Sequence, residues 1–322
     1  MITPPPPKKL FITHSETTGV FSLLENSAVK HYEKFLDLDN LTRRGMDHRR
    51  LDAYVLLAAM QVFSCYVFNL FKFLNSRPYY LFNVGEVEVG KYITSSVLRD
   101  VKTNQSQLRF ILSFHISMLR SMFVLGAAIR NAKKVDAIFL GDVHYLDGIW
   151  IDFFLNKEGV HVYLDLYPYG TLCVIKSFKN LSDLRSHLEA SQACRHLNAP
   201  DQADSYMEKR LRNPKDEISY YEVIFDGSDL GLFAANDRKT SVIVNAHSFT
   251  DAQMERGYDG FKSVYDWLKF TLRVLEGLTG TIDVFLKVHP NFYASHTESS
   301  LLHAAALDRR VWQDFIRRIP QR

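Results

Sequence analysis

The chain has few cysteines, and their placement suits neither a disulfide framework nor a metal site. Cys65, Cys173 and Cys194 lie far apart in apolar or helical sequence, without metal-ligand spacing. An odd number of scattered cysteines argues against a secreted, disulfide-stabilised protein. The N-terminus, a proline run followed by KLFIT, also lacks the apolar core and cleavage site of a signal peptide. These absences predict a reducing, cytoplasmic setting.

Several catalytic motifs are missing as well. The sequence contains no GxGxxG dinucleotide fingerprint, no GxxxxGK[ST] phosphate loop and no GxSxG nucleophile elbow. Its 12 histidines form no HExxH zinc pattern. Neither sign of charge is in large excess, because the chain has 39 Lys and Arg and 36 Asp and Glu, which gives a net charge of +3. We therefore expect no metal cofactor and no nucleic-acid partner.

What the chain does contain is a globular composition and an alternation of strand and helix patterns. It has 322 residues, of which 47% are hydrophobic and 23% charged, enough for two domains with buried cores. Strands are predicted at residues 9–13, 137–141, 160–164, 241–246 and 281–288, and an extended segment at 78–83. Helices are predicted across 27–74 and at 91–101, 105–132, 149–157, 182–198 and 261–275. This alternation is typical of an α/β fold with parallel sheets.

Polar composition divides the chain. Residues 199–235 form the predicted linker, because 199–217 are unusually polar and charged. Residues 1–198 are then an N-terminal domain, and residues 236–322 a C-terminal one. Only about 80 residues follow Ser241, fewer than a whole domain of the usual size, so we expect the second domain to be incomplete and the chain to be a fragment.

One apolar stretch complicates the prediction of a soluble protein. Residues 53–71 include only Gln61, Ser64 and Asn69 as strongly polar side chains, a length that just suffices to span a bilayer. The favoured interpretation is a helix buried under a sheet. The alternatives are a helix that spans the bilayer and a peripheral helix that touches the membrane. Residues 109–134 predict an amphipathic helix with basic edges.

The most informative segment, residues 241–291, reads as strand, loop, long helix and strand. It ends in Lys287, Val288, His289 and Pro290, where the proline restricts the histidine to an extended conformation. A fixed imidazole at the end of a strand can donate to a phosphate oxygen. The alternative is an ordinary turn at the end of a strand.

Two loops that follow predicted strands carry further polar groups. The loop 247–257 contains His247 and Asp251, which suit hydroxyl and phosphate binding or, alternatively, the capping of the next helix. The loop 141–148 contains Asp142, His144 and Asp147, the best candidates for a general base that deprotonates an acceptor hydroxyl. Gly148 would let a substrate approach the backbone closely. The alternative is capping by Asp147 and a structural role for His144. We expect these loops to converge in one cleft.

Residues 244–290 resemble the capsule polysaccharide biosynthesis family, which includes bacterial transferases of 3-deoxy-manno-octulosonic acid. The similar features are AHSFTDA at 246–252, YDWLKFTL at 265–272 and FLKVHPN at 285–291. More faintly, residues 82–99 and 144–160 are similar to first-half segments of related surface-glycan proteins.

The resemblance implies a GT-B-type glycosyltransferase with two Rossmann-like domains, the second incomplete here. It implies a nucleotide-sugar donor, with CMP-linked sugars among the candidates, a glycan or glycolipid acceptor, and no metal. His289, with Lys287 and Pro290, would hold the donor phosphate, and His247 and Asp251 would contact the nucleotide. Asp147 is the preferred base. The setting would be cytoplasmic, at the inner face of the cytoplasmic membrane. A non-catalytic membrane-peripheral scaffold and a sugar-nucleotide epimerase stay open as alternatives.

Overall fold

The chain divides into two compact units in the computed structural model. Unit 1 comprises Met1–Val97 and Ile111–Ala190, and unit 2 comprises Leu98–Phe110 and Ser191–Arg322. The structure describes residues 8–12, 32–37, 52–72, 79–99, 103, 106–140, 144–165, 171–174, 178–190, 240–246, 248–249, 261, 264–278, 281–288, 312–313 and 317. The predicted linker lies outside the described residues, and the predicted domain boundaries stay a prediction.

Unit 1 contains a five-stranded sheet in the order β2-β1-β3-β4-β5. Its strands are β1 (Lys8–Ile12), β2 (Tyr32–Asp37), β3 (Ala137–Leu140), β4 (His161–Asp165) and β5 (Thr171–Val174). β1 to β4 pair in parallel, and β5 pairs antiparallel to β4. The parallel strands predicted at 9–13, 137–141 and 160–164 are confirmed. The helix predicted across 27–74 is wrong at β2, where the backbone pairs with β1 instead.

In the described part of the chain before residue 191, the helices are α1 (Ala53–Lys72), α2 (Val89–Leu98), α3 (Gln107–Asn131), α4 (Gly148–Leu155) and α5 (Leu181–Ala190). Three of them begin at a capping side chain, which satisfies N–H groups that have no partner within the helix. Ser106 Oγ accepts the N–H of Arg109 in the first turn of α3 at 3.4 Å. Asp52 Oδ1 accepts the N–H groups of Tyr54 and Val55 at 3.1 and 3.0 Å. Asn180 Oδ1 accepts the N–H of Asp183 at 2.8 Å.

α4 lies almost entirely within the core of unit 1. The sequence GIWIDFFL is apolar except for Asp152, and nearly all of its side chains are buried. The ring of Trp150 stacks on that of Phe154, with centroids 5.6 Å apart. Other large buried side chains of this unit are Tyr92, Ile93, Phe114 and Leu125. After α4, Gly159 takes a φ of +76°, a conformation that glycine adopts at little cost, as the chain enters β4.

α1 is not buried under the sheet. Only Val55, Ala58, Val62 and Tyr66 of this helix are buried. Its large apolar side chains on the other faces are exposed, among them Leu56, Met60, Phe63, Phe68 and Phe71. The favoured sequence interpretation of a buried core helix is therefore wrong, because only one face of α1 is buried and the large apolar side chains on its other faces are exposed.

Unit 2 contains a parallel two-stranded sheet and one long helix between its strands. The elements are β6 (Thr240–Asn245), α6 (Val264–Glu276) and β7 (Ile282–Lys287). Leu268 of α6 packs in a buried cluster with Val244, Ala246, Phe249 and Trp312. The rings of Phe249 and Trp312 lie 4.6 Å apart between centroids. The strand-helix-strand order predicted for this segment is confirmed.

Gly148 provides a test of how closely α4 approaches α2. A Cβ at this position would lie 2.0 Å from Cε1 of Tyr92, whose ring is buried. We expect Gly148→Ala to lower the free energy of unfolding by about 1–3 kcal/mol, the usual cost of overpacking. Urea denaturation measures this. Gly277→Ala is the control, because its Cβ would meet only the carbonyl oxygen of Val274, at 3.4 Å. Equal stability of the two variants would contradict the packing.

Candidate functional site

The order of strands in unit 1 marks a place for a ligand. β1 pairs in parallel with β2 on one side and with β3 on the other, so the direction of strand succession reverses between β1 and β3. In open parallel sheets, ligands bind beyond the carboxyl ends of the strands at such a reversal. The carboxyl ends here are Ile12, which pairs with Phe139, and the adjacent Leu140. The candidate site is therefore this edge of the sheet.

Two of the three predicted base candidates lie in the segment that leaves this edge. His144 and Asp147 are half-buried in the connection between β3 and α4. The ring of His144 contacts that of Tyr145 edge-on, with centroids 6.5 Å apart. Asp142 lies outside the described residues. The topology thus brings His144 and Asp147 to the edge at which a parallel sheet binds its ligand.

Asp147 precedes α4 without capping it through its side chain. Its backbone carbonyl accepts the N–H of Trp150 at 3.0 Å, whereas its carboxylate makes no capping hydrogen bond. The capping alternative is therefore wrong for this side chain. The neighbouring Gly148 is approached by the ring of Tyr92. Its lack of a side chain serves packing inside the protein, so the interpretation that it makes room for a substrate is wrong.

The turn that carries Asp147 is fixed from both sides. Within the turn, the N–H of Gly148 donates to the carbonyl of Tyr145 at 2.9 Å. From outside, Ser96 Oγ on α2 accepts the N–H of Leu146 at 3.2 Å. A base held on a fixed turn keeps its geometry relative to a bound substrate, as acid–base catalysis requires.

The carboxylate of Asp152 lies at the centre of the polar interactions beneath this turn. It accepts the backbone N–H of Glu88 at 3.0 Å, the backbone N–H of Leu181 at 2.7 Å and the hydroxyl of Tyr92 at 3.0 Å. Glu88 directly precedes α2, and Leu181 is the first residue of α5. One carboxylate therefore binds the N-termini of two helices, where the helix dipole favours a negative charge.

A second cluster continues from the same place. Glu88 Oε2 accepts hydrogen bonds from Lys91 Nζ at 3.0 Å and from Ser182 Oγ at 2.7 Å. Lys91 Nζ also lies 2.5 Å from Ser182 Oγ. The hydroxyl of Ser182 on α5 therefore binds the Glu88–Lys91 ion pair at the start of α2, next to the contact made by Asp152. Asp152 thus connects residues 82–99 with residues 144–160, the two segments with the fainter predicted resemblance.

Burial raises the pKa of Asp152 to about 7, from an ordinary value of 3.8, and the charge of Glu88 adds to the rise. The three hydrogen bonds from Glu88, Leu181 and Tyr92 act in the opposite direction. Because the pKa is higher in the folded chain, the contribution of Asp152 to stability is fully present below about pH 4 and is lost as the pH rises through about 7.

Sequence reasoning did not single out Asp152. The signal was present, since it is the one charged residue in the apolar helix sequence GIWIDFFL. An acidic residue at such a position is rare unless it is paired. The segment that follows β1 was also missed. That segment begins with Thr13 and His14, which lie outside the described residues.

A cleft of about 360 Å³ opens above Asp152. It is mainly apolar, and the polar side chains of its lining are Gln61, Glu86, Asp152, Asn156 and Lys157. Leu57, Val84, Val87, Leu125 and Ile129 supply most of the apolar wall. Neither His144 nor Asp147 belongs to this lining, so the cleft is distinct from the edge that carries the predicted base.

The predicted donor site in unit 2 lies at the carboxyl edge of its sheet. Asn245 pairs with Lys287 at the end of both strands, and the N–H of Ala246 donates to the carbonyl of Lys287 at 2.9 Å. The side chain of Lys287 is exposed. In the sequence, His247 comes two residues after Asn245, and His289 comes two residues after Lys287.

The remaining predicted donor residues are not described. His247, Asp251, His289 and Pro290 all lie outside the described residues. The expected convergence of the loops in one cleft stays a prediction. Where the structure describes side chains, it contains no cluster of three or more His, Cys, Asp or Glu residues that could hold a metal ion.

Known proteins do not add to this picture. No protein-family model matches the chain, no curated protein is significantly similar in sequence, and no solved structure is significantly similar in fold. The resemblance to the capsule polysaccharide biosynthesis family therefore stays a prediction.

The titration of Asp152 can be read from stability. We compare the unfolding free energy of the native protein with that of Asp152→Asn by urea denaturation between pH 5 and pH 8. Because ionisation of Asp152 opposes folding, we expect the native protein to lose stability relative to the variant as pH rises, by at most about 1.4 kcal/mol per pH unit. Glu158→Gln, which removes an exposed carboxylate, is the control and should show no such trend. A difference that grows in favour of the native protein with rising pH would contradict this assignment.

Proposed function

We propose that the protein is a glycosyltransferase of capsule or surface-polysaccharide synthesis, which transfers a sugar from a nucleotide-sugar to a glycan or glycolipid acceptor with inversion. The observation that carries the proposal is the parallel register of β6 and β7, in which Asn245 pairs with Lys287. Both polar segments of the C-terminal part therefore leave the sheet from the same edge. Parallel sheets bind phosphorylated ligands at such an edge.

The donor chemistry follows from the residue types at that edge. Lys287 supplies a positive charge, and His289, two residues further on, supplies an imidazole N–H. Both groups can donate charge-assisted hydrogen bonds to phosphate oxygens. As the bond between the anomeric carbon and the phosphate oxygen breaks, negative charge grows on the leaving nucleotide, and fixed donors stabilise that charge. This arrangement needs no metal ion.

The acceptor chemistry is assigned to Asp147. Its carboxylate takes the proton from the acceptor hydroxyl while the hydroxyl oxygen attacks the anomeric carbon from the face opposite the nucleotide. The new bond forms as the bond to phosphate breaks, which inverts the configuration. The half-buried position of Asp147 on a turn held by Ser96 and Tyr92 supports this role. His144, on the same segment, is the second candidate, and Asp142 the third.

A non-catalytic scaffold in polysaccharide assembly is the second candidate function. The exposed apolar side chains of α1 favour it, since they suit attachment to a membrane without any chemistry. The two functions differ in one property. A transferase binds a nucleotide-sugar, whereas a scaffold does not. In both cases the protein would work in the cytoplasm, at the inner face of the cytoplasmic membrane.

Donor binding is tested by isothermal titration calorimetry with CMP-, UDP- and GDP-sugars, in the presence of EDTA. We expect one of the three to bind, and His289→Ala or Lys287→Gln to weaken binding about 10- to 100-fold, the range for losing one charge-assisted hydrogen bond. His187→Ala and Lys269→Gln, which change exposed helical residues, are the matched controls. If none of the three donors binds, the scaffold is the better function.

The assignment of the base is tested by turnover rather than by binding. We expect Asp147→Asn to lower kcat by about 10²- to 10⁴-fold, the usual contribution of a general base, and to leave donor affinity unchanged. Glu158→Gln, an exposed carboxylate after α4, is the control. Full turnover in Asp147→Asn, with loss of turnover in His144→Gln, would transfer the role to His144.

A further inference from the structure

The most unusual surface of the chain is formed by α1 and α3, which pack as an antiparallel pair. Asp52 at the start of α1 forms an ion pair with Arg130 near the end of α3. Tyr66, towards the end of α1, has its hydroxyl 3.1 Å from His115 Nε2, a little before the middle of α3. As residue numbers rise along α1 they fall along α3, so the two helices run in opposite directions.

The pair is held tightly on its inner side. A Cβ on Gly126 would lie 2.9 Å from Cα of Val55, so the two backbones approach closely. Near the other end, the ring of Tyr66 contacts those of Phe114 and Phe82. The inner side therefore resembles an ordinary protein core.

The outer side of α1 is apolar and exposed. Met60 is 62% exposed, Phe63 56%, Phe68 64% and Phe71 74%. Met60, Phe68 and Phe71 lie on the side of the helix away from the buried stripe of Val55, Ala58, Val62 and Tyr66, and Phe63 lies between the two sides. In a soluble protein that outer face carries polar residues. The apolar outer face of α1 is thus exposed.

α3 carries a matching stripe. Leu108, Leu112, Ile116 and Leu119 recur at steps of three and four residues, and all are between 46% and 75% exposed. From the pairing of Asp52 with Arg130 and of Tyr66 with His115, Phe63 lies at about the level of Leu119 along the pair. We define the lipid-facing surface as Met60, Phe63, Phe68 and Phe71 with Leu108, Leu112, Ile116 and Leu119.

Charge shows what kind of partner this surface suits. The 20 residues of α1 and the 25 residues of α3 include no Asp or Glu, although the whole chain has 36. They include Lys72, Arg109, Arg120 and Arg130. Arg109 and Arg120 are exposed and flank the apolar stripe of α3 on the side of Ile116. An apolar face whose charged neighbours on the two helices are all cations complements anionic lipid headgroups over acyl chains.

Both helices are long and apolar enough to cross a membrane, but two observations favour a position in the plane of the surface. First, one side of each helix packs against protein, and 56% of an apolar 18-residue stretch of α3 is buried. Second, Arg120 lies near the middle of α3, where a spanning helix would place its charge in the hydrocarbon core at high cost. At the interface, the arginine reaches the phosphates while its neighbours enter the acyl layer.

We propose that the lipid-facing surface docks the protein on an anionic bilayer, with α1 and α3 lying in the interface and Arg109 and Arg120 contacting lipid phosphates. This attachment goes beyond the proposed transfer reaction and does not depend on it. It rests on exposure, register and charge in the helix pair alone.

The test is flotation of the purified chain with vesicles of phosphatidylcholine, alone or mixed with phosphatidylglycerol. We expect binding to the mixed vesicles and at least tenfold less to phosphatidylcholine alone. Phe63→Glu should lower the bound fraction on mixed vesicles at least tenfold. Phe270→Glu is the matched control, because Phe270 on α6 is also 56% exposed and lies outside the surface. Arg120→Gln should reduce the preference for anionic vesicles.

Three results would overturn the proposal. Equal binding of Phe63→Glu and Phe270→Glu, with both folded by circular dichroism, would remove the surface from the interaction. A dimer in light scattering that Phe63→Glu dissociates, without vesicle binding, would make a second copy the partner. Resistance of the bound chain to extraction with alkaline carbonate would show that the helices span the bilayer. Nucleotide-sugar binding is measured separately, so none of these results bears on the transfer reaction.

Discussion

The buried carboxylate of Asp152 is the interaction on which the arrangement of unit 1 depends. It accepts two backbone N–H groups and one hydroxyl, and the N–H donors belong to the starts of two different helices. Burying such a group costs free energy unless hydrogen bonds compensate, and here the donors come from α2 and α5. α4 carries Asp152, and the turn with Asp147 begins that helix. The position of the predicted base is therefore set by a residue that has no part in the proposed chemistry.

Much of the fold follows from local sequence. The runs AIFL and VHVYL are short, apolar and rich in residues that favour strands, and both form parallel strands as predicted. The apolar spacing in α6 likewise placed Leu268 in the core. The strand Tyr32–Asp37 was missed because its pairing with β1 is a tertiary effect. The antiparallel β5 was missed for the same reason.

The candidate site could be predicted only in part. The ends of predicted strands and the loops after them pointed to His144, Asp147 and Lys287, since a parallel sheet binds its ligand at the carboxyl ends of its strands. The order of strands in a sheet cannot be read from local sequence, so the position of β3 at the reversal of strand succession could not be predicted. Nor could the sequence show that Tyr92 covers Gly148. For α1 the ambiguity is of another kind, because a core helix and a membrane-facing helix have the same composition. The exposure of Phe63 and Phe71 argues against the core helix.

The two proposals together restrict the acceptor. The helix pair and the turn with Asp147 belong to the same compact unit, apart from the first residues of α3. An acceptor deprotonated by Asp147 would therefore meet a unit that is attached to lipid. A soluble glycan gains nothing from this attachment, whereas a glycolipid is concentrated in the same plane and loses less translational freedom on binding. Of the two acceptor classes, the glycolipid is therefore the one that benefits from both proposed features of unit 1, the base Asp147 and the attachment to lipid.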